Sequence, residues 1–221
     1  MSGDTKVTSG KPSKNEGNII KQAVTNDFKK MMKEVYDEQG KVLQIREEEL
    51  IRWNSKDQIE FKKIFGMDGN AVIDKNGHTA KEIMLDGVKR IKAIHKGLDI
   101  TDFINHTDDK GMIYAANVNA SKDSNYTINI GPRFLKQSVT GKDSRVSTLC
   151  HEMSHFIKHE PFKLDSTQGG MNTNDDNPKH DYDHQYPERV YVNYATELVN
   201  KHSKDVFNNA YNIERYFEIT P

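Results

Sequence analysis

Apolar residues in this chain recur mainly three and four positions apart. Residues at that spacing share one face of an α-helix, so each such stripe predicts an amphipathic helix that packs its apolar face against a core. Gly40, Gly66 and Gly97 follow three of the stripes and supply expected helix stops, and Asn54 marks an expected break. The predicted helices cover residues 19–40, 43–65, 79–97, 189–201 and 204–217. The pattern therefore predicts a mainly helical fold.

Two shorter runs have the composition of β-strands. They cover Met112–Val118 and Tyr126–Ile130, and the second run alternates apolar and polar residues. Turn-forming residues 121–125 separate the two runs, which predicts a β-hairpin. We therefore expect an α+β fold, mainly helical, with a small antiparallel sheet. An exposed edge of such a sheet can pair with the backbone of a bound peptide.

A further helical stripe, which ends before Pro161, carries the most informative motif. It contains His-Glu-x-x-His, formed by His151, Glu152 and His155, and Ser144 is a candidate N-terminal cap. Histidines four positions apart lie on one face of a helix, so both can ligate one zinc ion. Glu152 lies beside them, where it can act as a general base without being a ligand, as in zinc metallopeptidases. The spacing predicts one catalytic zinc ion on this helix.

A catalytic zinc site needs a third protein ligand and an open coordination position. The metzincin pattern, His-Glu-x-x-His-x-x-Gly-x-x-His, fails because Lys158 and Pro161 replace its glycine and its last histidine. The thermolysin-like, or gluzincin, pattern takes a glutamate from a later helix, for which Glu197 is the candidate. We expect His159 and Glu160, which follow the motif closely, to cap the helix or to orient a ligand.

A stretch rich in charged residues downstream of this helix offers another candidate through a resemblance. It contains Asp183-x-x-Tyr186 and, together with His-Glu-x-x-His, resembles the aspzincin family of zinc endopeptidases, which includes deuterolysin and peptidyl-lysine metalloendopeptidase. That family follows His-Glu-x-x-His with the motif Gly-Thr-x-Asp-x-x-Tyr-Gly. Here His180, Asp181 and Pro187 replace the glycine, the threonine and the second glycine. Other stretches that resemble the family are Phe61–Gly66, Leu149–Phe156 and Asn208–Phe217.

The resemblance implies that Asp183 is the third zinc ligand and that Tyr186 donates a hydrogen bond to the transition state. It also implies a single zincin-like metallopeptidase domain over residues 18–221, which hydrolyses internal peptide bonds of a protein or peptide substrate. Asp181 and His184 are rival ligands next to Asp183. The expected sheet would lie beside the His-Glu-x-x-His helix.

The resemblance also implies a cleavage specificity, namely a preference for lysine, or for basic proteins, next to the cleaved bond. A lysine pocket requires a carboxylate, and Asp165, Asp175 and Asp176 are available in the long segment after the zinc-binding motif. The alternative from another functional class is a catalytically weak binding module that retains zinc. An intact Glu152 argues against that alternative, because a pure scaffold needs no general base.

Composition limits the partners and the compartment. The chain has 32 basic and 33 acidic side chains, and its net charge of −1 gives no reason to expect nucleic-acid or membrane-surface binding. Cys150 is the single cysteine, so an internal disulfide is impossible. No apolar run has the length or position of a signal peptide or a membrane span. We expect a soluble protein that either works in the cytoplasm of its producer or is exported as an effector or toxin by a route that needs no cleaved apolar signal.

Residues 1–17 are polar and rich in Ser, Gly and Lys, which predicts a disordered N-terminal tail. Secreted fungal members of the aspzincin family have disulfides and signal segments, whereas this sequence has a single cysteine and is not expected to carry a signal segment. It is more similar to bacterial aspzincin domains that occur in effectors and toxins. A secretion apparatus or a chaperone is therefore a candidate partner.

Overall fold

A computed structural model describes residues 25–120, 125–159, 163–164 and 169–221 of the chain. The predicted tail over residues 1–17 and the start of the first predicted helix lie outside the described residues. Among the helices that are described, none is long and apolar enough to cross a membrane.

The first helix, α1, covers Asn26–Arg52 and continues through Gly40, where the sequence predicted a stop. Gly40 packs against the His95 ring, and a Cβ at this position would lie 3.2 Å from Nε2 of His95. The glycine therefore serves a close approach between two helices and does not end one. The break falls at Trp53, which has a φ of 47°, and Asn54 then caps the next helix.

Helix α2 covers Ser55–Phe65 and ends at Gly66 in a left-handed conformation, as predicted. Helix α3 covers Ala80–Gly97, almost the predicted range. Thr79 caps the amide of Glu82, and the Glu82 side chain accepts from the amide of Thr79, which fixes the start of α3.

The sheet has three short strands, β1 (Phe103–Asn105), β2 (Ala116–Val118) and β3 (Ile128–Ile130), in the order β1-β3-β2. Strands β2 and β3 are antiparallel, as the hairpin prediction requires. Strand β1 pairs with β3 in parallel, so the sheet is mixed and the prediction of an antiparallel sheet was wrong in this detail. Strands β2 and β3 cover only the last three residues of the two predicted runs, and β1 lies outside both runs.

Helix α4 covers Arg145–His155 and holds the His-Glu-x-x-His motif. The Ser144 side chain accepts from the amide of Ser147, which confirms the predicted cap. Every residue from Val146 to Ser154 is buried, because α4 contacts helices α1 and α3 and strand β2. This helix is therefore the central element of the core, and other elements pack against it on several sides.

The last two helices are α5 (Glu188–Asn200) and α6 (Ala210–Tyr216). The closing helix predicted over residues 204–217 is divided, since a 3-10 turn at Lys204–Phe207 precedes α6. Asn174 accounts for the interruption, because its backbone pairs with the chain at this point. Its amide donates to the Asn208 carbonyl oxygen at 2.9 Å, and its carbonyl oxygen accepts from the Ala210 amide at 3.0 Å. This pairing ties the segment after α4 to the start of α6.

The core joins apolar side chains from the helices and the sheet. Aromatic rings of α2 and α6 meet there, with Phe65 and Tyr216 at a centroid distance of 5.5 Å. Fully buried members of this core include Val35, Leu43, Leu50, Phe61, Phe65, Val88, Ile91, Ile128, Leu149, Met153, Ile213 and Phe217.

Candidate metal centre

Helix α4 presents its two motif histidines on one face, beside a carboxylate from the segment that follows. Oδ1 of Asp175 lies 3.0 Å from Nε2 of His151 and 3.5 Å from Nε2 of His155. The three potential ligand atoms all lie within 4.8 Å of one another. Ligand atoms about 2.1 Å from a zinc ion, at tetrahedral angles, lie about 3.4 Å apart. The spacing of these three groups therefore suits one tetrahedral metal ion.

The other ring nitrogens of the two histidines have fixed partners. Nδ1 of His151 lies 2.8 Å from Oε2 of Glu214 in α6, and Nδ1 of His155 lies 3.0 Å from the carbonyl oxygen of Thr173. Both partners are acceptors, so each Nδ1 carries the proton and each Nε2 keeps its lone pair for a metal. The Ser147 hydroxyl donates to Glu214 at 3.3 Å and helps to hold that carboxylate.

The surroundings of Asp175 favour a cation at this point. Its Oδ1 is buried and, apart from the two Nε2 atoms that it faces, has no possible hydrogen-bond partner among the described residues, although the side chain as a whole is 43% exposed. An orphaned buried acceptor is costly unless a cation or a donor satisfies it. Burial would raise the pKa of Asp175, but the positive charges that His155 and His151 carry when they are doubly protonated outweigh burial and hold the pKa at about 2, so Asp175 is an anion. The residues present thus fit a zinc ion.

Hydrogen bonds hold the segment that carries Asp175 in place on both sides of this residue. Amides of Met171 and Thr173 donate to the Ser154 carbonyl oxygen of α4 at 3.0 and 3.2 Å, and the Ser154 and Thr173 hydroxyls share a hydrogen bond of 2.7 Å. On the other side, Asn174 pairs with the start of α6. Asp175 therefore reaches the histidines by a backbone path that α4 and α6 define together.

The structure does not bring Asp183, the third ligand that the resemblance implied, to the histidines. Asp183 is exposed, and its amide donates to Oδ1 of Asp181 at 3.1 Å. The rivals Asp181 and His184 pair with each other at 2.7 Å. Glu197 pairs with Lys201 on the exposed face of α5. Across the described ranges, the carboxylate that joins the two histidines is that of Asp175.

Glu152 is buried next to the two histidines and lines the same cleft. Burial raises its pKa to about 8, which the His151 charge opposes and the nearby carboxylates of Asp175 and Glu214 increase. A carboxylate with a pKa near neutral can both accept and release a proton at physiological pH. Of the residues expected to assist, His159 instead lies 3.5 Å from the Tyr126 hydroxyl, and Glu160 lies outside the described residues.

The site opens into a cleft of about 510 Å³. The His-Glu-x-x-His face of α4 forms its floor, and strand β2 and the preceding residues 113–115 form one wall. Strand β2 is an edge strand of the described sheet, so one side of its backbone is not paired with another strand. The lining also includes Tyr186, Glu188, Tyr191 and Tyr211. The cleft therefore combines a metal-binding face with a strand edge that an extended peptide could join.

Comparison with known proteins adds one structural likeness. No protein-family model matches the chain, and no curated protein matches it either. The zinc peptidase from Grifola frondosa is similar in structure, with 15% sequence identity and a TM-score of 0.42, over 83% of this chain and 93% of that chain. A TM-score of this size does not establish a shared fold. The nature of the site therefore rests on its own geometry.

Asp175 carried a signal that the sequence interpretation missed. Thr173-x-Asp175 reproduces the threonine and the aspartate of the Gly-Thr-x-Asp motif, but Pro178 stands where that motif has its tyrosine, so the Asp-x-x-Tyr pattern leads to Asp183 instead. Asn172 replaces the glycine and has a φ of 63°. Asn tolerates this left-handed conformation better than most residues other than glycine. The turn geometry is therefore compatible with Asn at the glycine position.

Two tyrosines of the cleft have different surroundings. The Tyr186 hydroxyl, which we expected to assist catalysis, donates to Oδ2 of Asp181 at 3.4 Å. Tyr211 in α6 instead packs edge-on against His151 with a centroid distance of 4.7 Å, and it stacks on Tyr191 at 5.4 Å. Burial, with the charge of Asp175 next, raises the pKa of Tyr211 far above its usual range. Tyr211 is therefore a protonated donor at the metal-binding face.

Proposed function

We propose that this protein is a zinc-dependent endopeptidase whose zinc ligands are His151, His155 and Asp175. The observation that carries the proposal is the buried Oδ1 of Asp175, which faces the Nε2 atoms of both motif histidines and has no other possible hydrogen-bond partner among the described residues. The cleft beside these ligands supports a peptide substrate, because its wall includes the edge strand β2.

When bound, a zinc ion would supply Lewis acidity, which polarises a peptide carbonyl and makes water acidic enough to ionise near neutral pH. Glu152, which is buried beside the two histidines, accepts the proton of the attacking water and passes it to the leaving amine. Glu214 and the Thr173 carbonyl hold His151 and His155 in the orientation that ligation needs.

We assign the donor for the developing oxyanion to Tyr211, in place of Tyr186. Tyr211 contacts His151 directly and lines the cleft, and its hydroxyl has no hydrogen-bond partner within the described part of the chain. The Tyr186 hydroxyl is already directed to Asp181. A donor that is placed before the reaction stabilises the oxyanion without the cost of reorganisation.

The proposal does not include a preference for lysine. Asp175 is assigned to the metal, and Asp165 lies outside the described residues. Asp176 is buried and accepts from the His180 ring and the Tyr182 hydroxyl, at 3.0 and 3.1 Å. The cleft carboxylates Glu188 and Glu214 are paired as well, with Arg133 and His151. Within the described cleft, each of these acids already has a partner, so a lysine side chain would have to compete for it.

Zinc dependence of proteolysis tests this function. Purified protein should cleave an unfolded protein substrate, lose that activity on chelation and regain it when zinc is restored. The zinc-loaded Glu152→Gln variant should bind the same amount of metal and be inactive by several orders of magnitude. Activity that survives complete removal of metal would overturn the proposal. Zinc binding without any cleavage by the wild type would favour the binding module instead.

A further inference from the structure

A second pocket of about 500 Å³ adjoins the metal-binding cleft. The two cavities share Ile113, Arg133 and Gln137 in their linings, so they are neighbours along one surface. The shared residues lie on the segment that enters β2 and on the 3-10 turn Pro132–Lys136 with the residue after it. A peptide in the cleft can therefore extend into the second pocket.

One wall of this second pocket is apolar and exposed. Met112 and Ile113 are consecutive, with relative exposures of 53% and 82%. Single exposed apolar residues are ordinary, but adjacent ones along a groove mark a contact surface when they line a cavity. Pro132 continues this wall. The pocket therefore offers apolar contact to a bound segment.

The charged residues of the second pocket are mainly basic. Lys136 and Lys142 line it, and no ion pair involves either one in the described part of the chain. The third cation, Arg133, is paired with Glu188. The one acid of the lining, Asp143, belongs to a carboxylate group with Glu214 and Glu218. Two unpaired lysines beside an apolar wall are complementary to an acidic residue in an apolar context.

The wall between the two cavities is held in place by backbone hydrogen bonds. The Tyr114 carbonyl oxygen accepts from the Arg133 amide at 3.2 Å, and the Ala115 carbonyl oxygen accepts from the Gly131 amide at 2.8 Å. This segment runs directly into the edge strand β2. An extended chain rises about 3.3 Å per residue, so a peptide along this wall would pass from β2 to the second pocket within about four residues.

We propose that the second pocket is a substrate subsite that selects a polypeptide segment with an acidic residue next to an apolar one, roughly three to five residues from the cleaved bond. The inference rests on the proposed peptidase function and adds a substrate class to it. Arg133 is held by Glu188, so Lys136 and Lys142 carry the charge selection, and Met112 and Ile113 carry the apolar contact.

A matched pair of peptides tests the subsite. Both peptides would contain one cleavable bond and the same apolar residue. One peptide would carry Asp and the other Asn at a single position, and the pair would be made for each position three, four and five residues from the cleavable bond. We expect the zinc-loaded wild type to favour Asp at one fixed position by about tenfold in kcat/KM, a size that two partly exposed charge pairs can supply. The double variant Lys136→Gln/Lys142→Gln should reduce that ratio to about one.

The control is Lys75→Gln/Lys96→Gln, which removes two exposed lysines that line neither cavity and should keep the ratio of the wild type. Cleavage of both peptides by the wild type without an Asp preference would overturn the subsite and leave the peptidase function intact. An Asp preference that survives in the Lys136→Gln/Lys142→Gln variant would also overturn the subsite. Failure of the wild type to cleave any peptide would instead contradict the peptidase function, and the subsite with it.

Discussion

Asp175 and Asp183 carry the same functional group in opposite surroundings. Oδ1 of Asp175 is buried against two imidazoles, whereas Asp183 is exposed and contributes an amide to a local turn. We therefore expect Asp175→Asn to weaken zinc binding by about 100-fold or more and Asp183→Asn to leave it within about twofold. Competition with a chromogenic chelator measures both affinities. Loss of zinc in Asp183→Asn, with retention in Asp175→Asn, would reverse the assignment.

Tyr211 and Tyr186 also have the same functional group in different surroundings. Tyr211 packs against His151 and has a pKa far above its usual range, because of burial first and of Asp175 next, so it remains a donor at any working pH. We predict that Tyr211→Phe lowers kcat by about 10- to 100-fold with little change in KM. Tyr186→Phe is the matched control and should change kcat by less than about threefold. Equal losses in the two variants would refute this distinction.

Helices α1 and α3 meet at a buried histidine. The His95 ring stacks on Tyr36 at a centroid distance of 3.9 Å, and its Nδ1 lies 2.9 Å from Oε1 of Gln39. The Gln39 amide in turn contacts the sulfur atoms of Cys150 and Met153 on α4, each at 3.4 Å. This arrangement links the packing of α1 and α3 to the helix that holds the metal-binding motif.

Burial lowers the pKa of His95 to about 4, with Asp37 raising and Lys96 lowering it. Since the unfolded chain takes up the proton at about pH 6.5, the free energy of unfolding should fall as the pH drops from about 6.5 to 4. We expect His95 to account for roughly 1–3 kcal/mol of this loss. Urea titrations of wild type and His95→Gln should show their stability difference shrinking over that window. The exposed His184→Gln variant is the control, and an unchanging wild-type–His95→Gln difference would contradict the prediction.

The sequence predicted correctly those helix ends that are set by neighbouring residues in the chain. Helix α3 starts at a Thr79–Glu82 capping box and ends at Gly97, and the structure places it within one residue of the predicted range. Gly40 was misread as a stop because its role depends on His95, far away in sequence. The division of the last helix depends on Asn174, which pairs with the chain around Asn208. Contacts between residues that are far apart in sequence determine both the continuation of α1 through Gly40 and the division of the last helix. A local sequence pattern does not contain such contacts.

The metal-binding site also combines residues whose positions follow from local sequence with residues whose positions follow from tertiary packing. His151, Glu152 and His155 lie on one helical turn, so their spacing alone places them together. Asp175 comes from the segment after α4, and Glu214 comes from α6, so their positions follow from the packing of α4 against α6. Pro178 stands in place of the motif's tyrosine, and this replacement hid the third ligand from pattern matching.

Metal-dependent hydrolysis of internal peptide bonds is the property that unites the metal ligands, the general base and the edge strand. Its most direct test maps new termini by mass spectrometry after a protein-derived peptide library is incubated with zinc-loaded wild type or zinc-loaded Glu152→Gln. We predict internal cuts by the wild type and, at equal zinc content, almost none by Glu152→Gln, since only the proton acceptor is lost. Equal cutting by both proteins, or cuts by neither, would contradict the account.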